Sequence, residues 1–144
     1  MFVVDTNILL YAADRDSPGH DTCHELVCEW RQVSTPWYIT WGIAYEFLRV
    51  ATHPNVFRKP FDPSEAWRFV QALLFSPSLG ILTETPRHAE VLAQLLDAKP
   101  EVRGNLVFDG HTVVLMREHG IRKIYTHDAD FHRFGGLEVI DPFR

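Results

Sequence analysis

Apolar residues recur along this chain in two alternating rhythms. Short β-favouring runs bounded by polar or turn-forming residues alternate with longer stretches whose apolar positions fall three and four apart. The first run, Phe2-Val3-Val4, leads straight into Asp5, Thr6 and Asn7, and a second apolar run, Ile8 to Ala12, follows at once. This predicts a short buried strand delivering Asp5 to its carboxyl end, then a helix capped by Thr6 or Asn7. Ser17-Pro18 opens a helix to about Arg31, and Thr35 to Ile39 reads as a loop and short strand. Thr40 caps a helix to about Thr52, ended by His53-Pro54, and Asp62-Pro63-Ser64-Glu65 opens another to about Phe75. Pro77 to Gly80 is a turn, Ile81 to Thr83 a strand, and Thr85-Pro86 a capped start leading to about Ala98. The last long helix runs from Asn105 to Gly120, and Ile124 to Thr126 and Leu137 to Ile140 are the final strands.

Alternating strands and helices imply an α/β fold. The expectation is a central, mostly parallel sheet of four to five short strands, with right-handed crossovers and helices on both faces. No repeats, linkers or low-complexity segments interrupt it.

Three helices break the simple apolar-stripe pattern. Glu46 falls among Ile43, Phe47 and Val50, in the middle of a predicted buried stripe where an unpaired carboxylate is costly. Arg49, one turn on, is an ordinary ion-pair partner; a metal or a raised pKa is the functional explanation, and the one favoured. Asp109 repeats the anomaly, sharing a face with Leu106, Val113 and Met116 near the amino end of its helix, where the dipole favours negative charge. In the helix after Asp62, Trp67, Phe69, Val70, Leu73, Leu74 and Phe75 cover more than one face, which suggests a self-association surface as well as core. Asp128 and Asp130 follow the strand at Ile124 to Thr126, repeating the placement of Asp5.

At 144 residues the chain is about one domain long. No apolar run approaches the about 18 to 20 residues of a membrane span, and Met1 leads into the first strand without a leader, so a soluble, cytoplasmic protein without a membrane partner is expected. Cys23 and Cys28, five apart on one predicted helix, are badly placed for a disulfide, and a reducing compartment fits. His20, Cys23, His24 and Cys28 invite a zinc reading, but four ligands from one continuous helix are odd geometry, and a packed helix with buried thiols is preferred. The net charge of −5 opposes a nucleic-acid partner unless several of the 19 acids converge on divalent cations, which invert the local sign. Arg15, Arg58, Lys59 and Arg133 are candidate phosphate contacts, though an ordinary surface charge is the favoured reading of each.

Four separated segments thus each offer an acid: Asp5, Glu46, Asp109 and Asp128/Asp130. Carboxylates gathered without cations repel one another, and hard divalent ions with oxygen ligands resolve that repulsion. Magnesium or manganese held this way can activate water and clamp the oxygens of an in-line phosphoryl displacement. No serine or cysteine nucleophile motif and no glycine-rich phosphate loop competes.

Val4 to Asn7, Ala44 to Val50, Gly104 to His111 and Thr126 to Phe131 form an ordered set of short motifs. In these the chain resembles PIN-domain proteins, most closely the VapC toxins of prokaryotic toxin-antitoxin pairs, over essentially its whole length. The resemblance implies a single PIN domain over residues 1–144 and a magnesium- or manganese-dependent endoribonuclease. Its carboxylates would be Asp5, Glu46, Asp109 and Asp128, with Asp5 and Asp109 the principal metal ligands and Glu46 and Asp128 completing the pocket, partly through water. Asn7 and Thr126 would orient ligands or water, and Asp130 matches a common family acid, leaving open which of Asp128 and Asp130 faces the metal. A small VapB-like antitoxin, an RNA substrate and a homodimer are the implied partners. Gly110 stands where the family commonly has alanine, at a helix cost of up to about 1 kcal/mol. Two alternatives remain: a catalytically inactive PIN module that binds RNA or protein, and a phosphohydrolase of the haloacid dehalogenase type. The second wants an aspartate where Asn7 stands.

Overall fold

The apolar stretches of the sequence fold as short strands and amphipathic helices. The structure, a computed structural model, describes residues 1–144. Its elements are β1 (Phe2–Val4), α1 (Thr6–Ala13), α2 (His20–Gln32), β2 (Trp37–Thr40), α3 (Trp41–Ala51), α4 (Pro63–Leu74), β3 (Leu79–Leu82), α5 (His88–Ala98), α6 (Leu106–Glu118), β4 (Lys123–Tyr125) and β5 (Glu138–Ile140), with a 3-10 turn over Ala129–Phe134. The five strands form one sheet in the order β3-β2-β1-β4-β5, and every pairing is parallel.

The order explains where a site can form. The chain builds outward from β1 to β2 and β3, then returns to place β4 on the other side of β1. At that reversal the connections leave in opposite directions, opening a crevice at the carboxyl ends of β1 and β4. α1 to α4 pack against one another and α5 packs on α6. With right-handed crossovers the two groups fall on opposite faces of the sheet. Val3, Val4, Trp37, Ile39 and Ile124 are almost wholly buried between them, as a parallel sheet covered on both faces requires.

Local chemistry sets most boundaries. Thr40 Oγ1 accepts a hydrogen bond from Ile43 N at 3.0 Å, and Asp62 Oδ1 accepts one from Glu65 N at 2.9 Å with Pro63 at the first helical position. α6 ends at Gly120 (φ +68°), where Ile121 N bonds to Met116 O at 2.9 Å and Gly120 N to Arg117 O at 3.2 Å.

Several boundaries differ from the sequence expectation. α1 is capped by Asp5 itself, not by Thr6 or Asn7. α2 begins at His20 because Ser17 Oγ accepts from Gly19 N and holds a preceding turn. α5 begins at His88 for the same reason, Thr85 Oγ1 accepting from Arg87 N. β3 starts at Leu79, taking in Gly80, because the missing Cβ is what admits Tyr38: a methyl there would come 2.7 Å from Tyr38 Cε1. Gly110 is buried, and a Cβ would lie 3.3 Å from Val102 Cγ1 and 3.4 Å from Leu95 Cδ2, so its cost in helix propensity is offset by close approach of α6 to α5.

On α2, Cys23 points into the core while His24 is exposed, with Cys28 Sγ 3.8 Å from its Nε2 and the His20 ring 5.2 Å from its own. The four residues do not converge, and both thiols are free. On α4, Ala66, Val70 and Leu73 are buried while Trp67, and Phe75 at the cap that follows, stay exposed. No helix is long and apolar enough to cross a membrane.

The Thr40 cap is a direct test of this frame, since its hydroxyl is fully buried. Thr40→Ala should lower stability by about 1 kcal/mol and Tm by roughly 3 °C in thermal unfolding, with Thr40→Ser recovering most of the loss.

Candidate active site

Asp5 stands at the hinge between β1 and α1. Its backbone N–H donates to Tyr125 O at 3.0 Å, extending the β1–β4 pairing by one bond beyond the strand. Its side chain then turns back over the helix start: Oδ1 accepts from Thr6 N at 2.8 Å, and Oδ2 accepts from Asn7 Nδ2 and from Thr126 Oγ1, both at 2.7 Å. Thr126 Oγ1 in turn accepts from Asn7 Nδ2 at 3.0 Å and from Asp128 N at 2.9 Å, and Asn7 Oδ1 accepts from His127 N at 3.0 Å. One closed network therefore joins the carboxyl ends of two adjacent parallel strands. The sequence-predicted residues Asp5, Asn7 and Thr126 belong to it through their side chains, and Asp128 through its backbone N–H.

Asp128 and Asp130 are positioned by the 3-10 turn that follows. Asp128 Oδ1 accepts from Asp130 N at 2.8 Å, and Asp130 Oδ1 from Arg133 NH1 at 3.3 Å. One carboxylate oxygen from each of Asp109, Asp128 and Asp130 lies within 4.8 Å of the others, so both acids, not one of the two, face Asp109. Asp109 is half-buried on the first turn of α6 and makes no hydrogen bond.

Glu46 departs from expectation. Its side chain is 48% exposed, because Ile43, Ala44, Phe47 and Ala51 form the buried face of α3 and Glu46 lies at its edge. There Thr6 Oγ1 donates to Oε2 at 3.0 Å, while Arg49 is only a loose neighbour at 3.8 Å. Thr6 is the residue that sequence reasoning missed. Its position beside Asp5 was the available signal, but only the packing of α1 on α3 shows that it reaches Glu46.

Asp5 and Glu46 lie outside the close Asp109–Asp128–Asp130 group but near enough to repel it. Burial pushes the Asp5 carboxyl up to about 6, against the hydrogen bonds from Thr126 and Thr6 that favour its charge, with Glu46 and Asp128 adding repulsion. Burial likewise pushes Asp109 up to about 7, helped by repulsion from Asp5, Asp128, Glu46 and Asp130. No lysine or arginine lies within 4.0 Å of Asp5 or Asp109. The donor set is all hard oxygen, its most strained member has no partner, and both features fit a divalent cation of the magnesium or manganese kind. Of the basic candidates, Arg133 lies beside the cluster through Asp130. Arg15 follows the far end of α1, about 12 Å along the helix from Asp5, and Arg58 lines a separate cavity there with Asp14 and Asp16.

Comparison with known proteins agrees with this geometry. The family described as the PIN domain matches residues 2–137. Ribonuclease VapC48 of Mycobacterium tuberculosis is 37% identical over 140 residues, covering 96% of this chain and 95% of the relative. Among solved structures, the fold matches M. tuberculosis VapC20, a sarcin-ricin loop cleaving toxin, with a TM-score of 0.70 at 20% identity over 98% of this chain and all of that one. It also matches VapBC2 of Rickettsia felis bound to a DNA fragment from its promoter, with a TM-score of 0.66 at 15% identity over 96% of each chain. The all-parallel sheet, the acids gathered at its reversal point and the full-length similarity to a VapC ribonuclease together establish that this chain belongs to the PIN-domain family, among its VapC-like members.

Proposed function

We propose that this protein is a divalent-metal-dependent endoribonuclease and the toxin of a VapBC-type toxin-antitoxin pair, with residues 1–144 forming one PIN domain. The observation that carries this is the gathering of Asp128 and Asp130 against Asp109, whose carboxylate has no hydrogen-bond or basic partner and also feels repulsion from Asp5 and Glu46. Full-length similarity to a relative named ribonuclease supports the reaction class.

Asp5, Asp109 and Asp128 would hold Mg2+ or Mn2+, with Asp130 close against Asp109 and Asp128 and Glu46 at the margin. Such a cation supplies the positive charge that a phosphodiester needs in order to approach this acidic cleft, and it activates water for attack at phosphorus. The protein's own part is preorganisation. Asn7 and Thr126 fix Asp5 Oδ2, the Asp130 N–H fixes Asp128 Oδ1, and the Thr6 hydroxyl fixes Glu46 Oε2, so the carboxylates need little rearrangement to bind. Tyr45 and Phe108, 70% and 73% exposed, flank Glu46 and Asp109 in the chain and offer faces on which bases can stack.

The similarity to VapBC2 supports an antitoxin partner for this chain. Trp67 and Phe75 on and beside α4 suit a homodimer contact, the self-association surface expected from the sequence. Two free thiols, one of them buried, agree with a reducing cytoplasm.

In an RNA cleavage assay with Mg2+ or Mn2+, Asp5→Asn and Asp109→Asn should each reduce cleavage by about 100-fold or more, and EDTA should abolish it, with RNA binding retained. Cleavage unaffected by EDTA and by both variants would overturn the assignment. Loss of cleavage by the wild-type protein on every RNA, with RNA still bound, would favour the inactive binding module.

The raised carboxyls also predict a linkage. Because Asp5 and Asp109 bind protons more tightly folded than unfolded, the metal-free protein should lose stability as pH rises from about 4 through about 7, and Asp109→Asn should flatten that slope in urea unfolding. Metal binding near pH 6.5 should release about one proton, measured by calorimetry in buffers of different ionisation heat.

A further inference from the structure

A second cluster of potential metal ligands lies outside the acidic cleft, at the carboxyl end of the edge strand β3. Glu84 follows β3, His88 opens α5 and His111 lies on α6. One ligand atom from each falls within 4.8 Å of the others. His111 Nε2 is 3.2 Å from Glu84 Oε1, and the two imidazoles meet edge to face with centroids 5.7 Å apart.

What distinguishes this cluster from a surface ion pair is the group behind it. The Glu118 side chain, two turns along α6 from His111, is fully shielded from solvent. Its Oε1 accepts from Thr85 N at 2.9 Å and Thr85 Oγ1 at 2.6 Å, and its Oε2 lies 2.7 Å from His88 Nδ1. Burial alone would raise the Glu118 carboxyl, but the hydrogen bonds from Thr85 and His88 outweigh it and hold the group below its ordinary value. Glu118 is therefore a buried anion whose sole basic neighbour within 4.0 Å is an imidazole. A carboxylate on Nδ1 orients the ring, fixes its tautomer and leaves Nε2 free as a basic ligand, which is how metal-binding histidines are usually held. His119 Nε2 adds a hydrogen bond to Thr83 O at 2.8 Å, so the loop carrying Glu84 is tied to α6 from both sides.

We propose that Glu84, His88 and His111 form a binding site for a zinc-class transition-metal ion, with Glu118 as the positioning residue behind His88. Two imidazoles and one carboxylate favour zinc and its late first-row neighbours over magnesium or calcium, which take oxygen ligands. Three protein ligands leave a position for water, and Glu84 and His111 are exposed enough for the ion to enter. Bound there, the ion clasps the β3–α5 loop, α5 and α6 together, and it stabilises the fold by mass action. The site is independent of the ribonuclease assignment, and its test reads binding instead of cleavage.

The full-length protein, stripped with EDTA and dialysed, is titrated with Zn2+ by calorimetry and with Co2+ by visible absorption. With excess Mg2+ present to occupy the acidic cleft, the expected result is one tight saturable site per chain, with Co2+ ligand-field bands that Zn2+ abolishes. Glu84→Ala and His111→Ala, both at partly exposed positions, should weaken zinc binding at least roughly ten-fold, and Glu118→Gln roughly ten- to hundred-fold. The double variant Asp5→Asn, Asp109→Asn should bind zinc as the wild type does. The proposal is overturned if zinc fails to bind below millimolar concentration, or if Glu84→Ala and His111→Ala leave its affinity unchanged. It is equally overturned if affinity is lost in the double cleft variant, which would put the ion among the acids, or in His24→Ala or Cys28→Ser, which would put it on α2.

Discussion

The hydrogen bond from Thr126 to Asp5 is the constraint on which the rest of the site depends. It joins residues 121 apart in sequence, at the ends of two strands brought side by side only when the chain reverses direction across the sheet. Asp5 is at once the last bond of the β1–β4 pairing, the cap of α1 and the most buried acid of the cluster. Its carboxylate is therefore held by the same interactions that register the sheet and start the helix. A functional group tied to the frame in this way keeps its geometry without help from a mobile loop.

Holding that group has an electrostatic cost. Asp5 and Asp109 are both pushed well above the ordinary aspartate range, chiefly by burial and then by the acids around them. The two differ in how the protein answers. Asp5 receives three hydrogen bonds that favour its charge, whereas Asp109 receives none, so Asp109 is the member whose ionised form gains most from a cation. Destabilisation of the metal-free cluster and affinity for metal are two aspects of one arrangement, in line with strain being retained where function needs it.

α6 links both metal-competent regions. Its first turn presents Asp109 to the cleft, the next turn presents His111 toward Glu84, and its last turn buries Glu118 behind His88. Between them Thr112 to Met116 are buried, so the helix is rigidly seated in the core while its polar positions emerge on two sides. Gly110, between Asp109 and His111, lets the helix sit close to α5 and Val102, and that close seating sets the position of both polar groups.

Much of the fold was legible in the order of residues, because its determinants are local. The β-branched runs at Val3-Val4 and Ile124, the caps at Thr40 and Asp62, Pro63 at the first helical position and Gly120 past the end of α6 act through neighbours a few residues away. The candidate acids were legible too, since a carboxylate at a strand end or among apolar helix positions is anomalous in any fold. Tertiary structure decided what depends on distant partners. It showed Glu46 to be half-exposed at a helix edge and held by Thr6, because helical spacing cannot say how wide the buried face of α3 is. It set both Asp128 and Asp130 against Asp109, and it extended β3 through Gly80 because Tyr38 on the neighbouring strand fills the space of a missing side chain. It also gathered Glu84, His88, His111 and Glu118, which share no spacing that marks a ligand set. Such a cluster is specified by how β3, α5 and α6 pack, and packing is a property of the whole chain, not of any stretch within it.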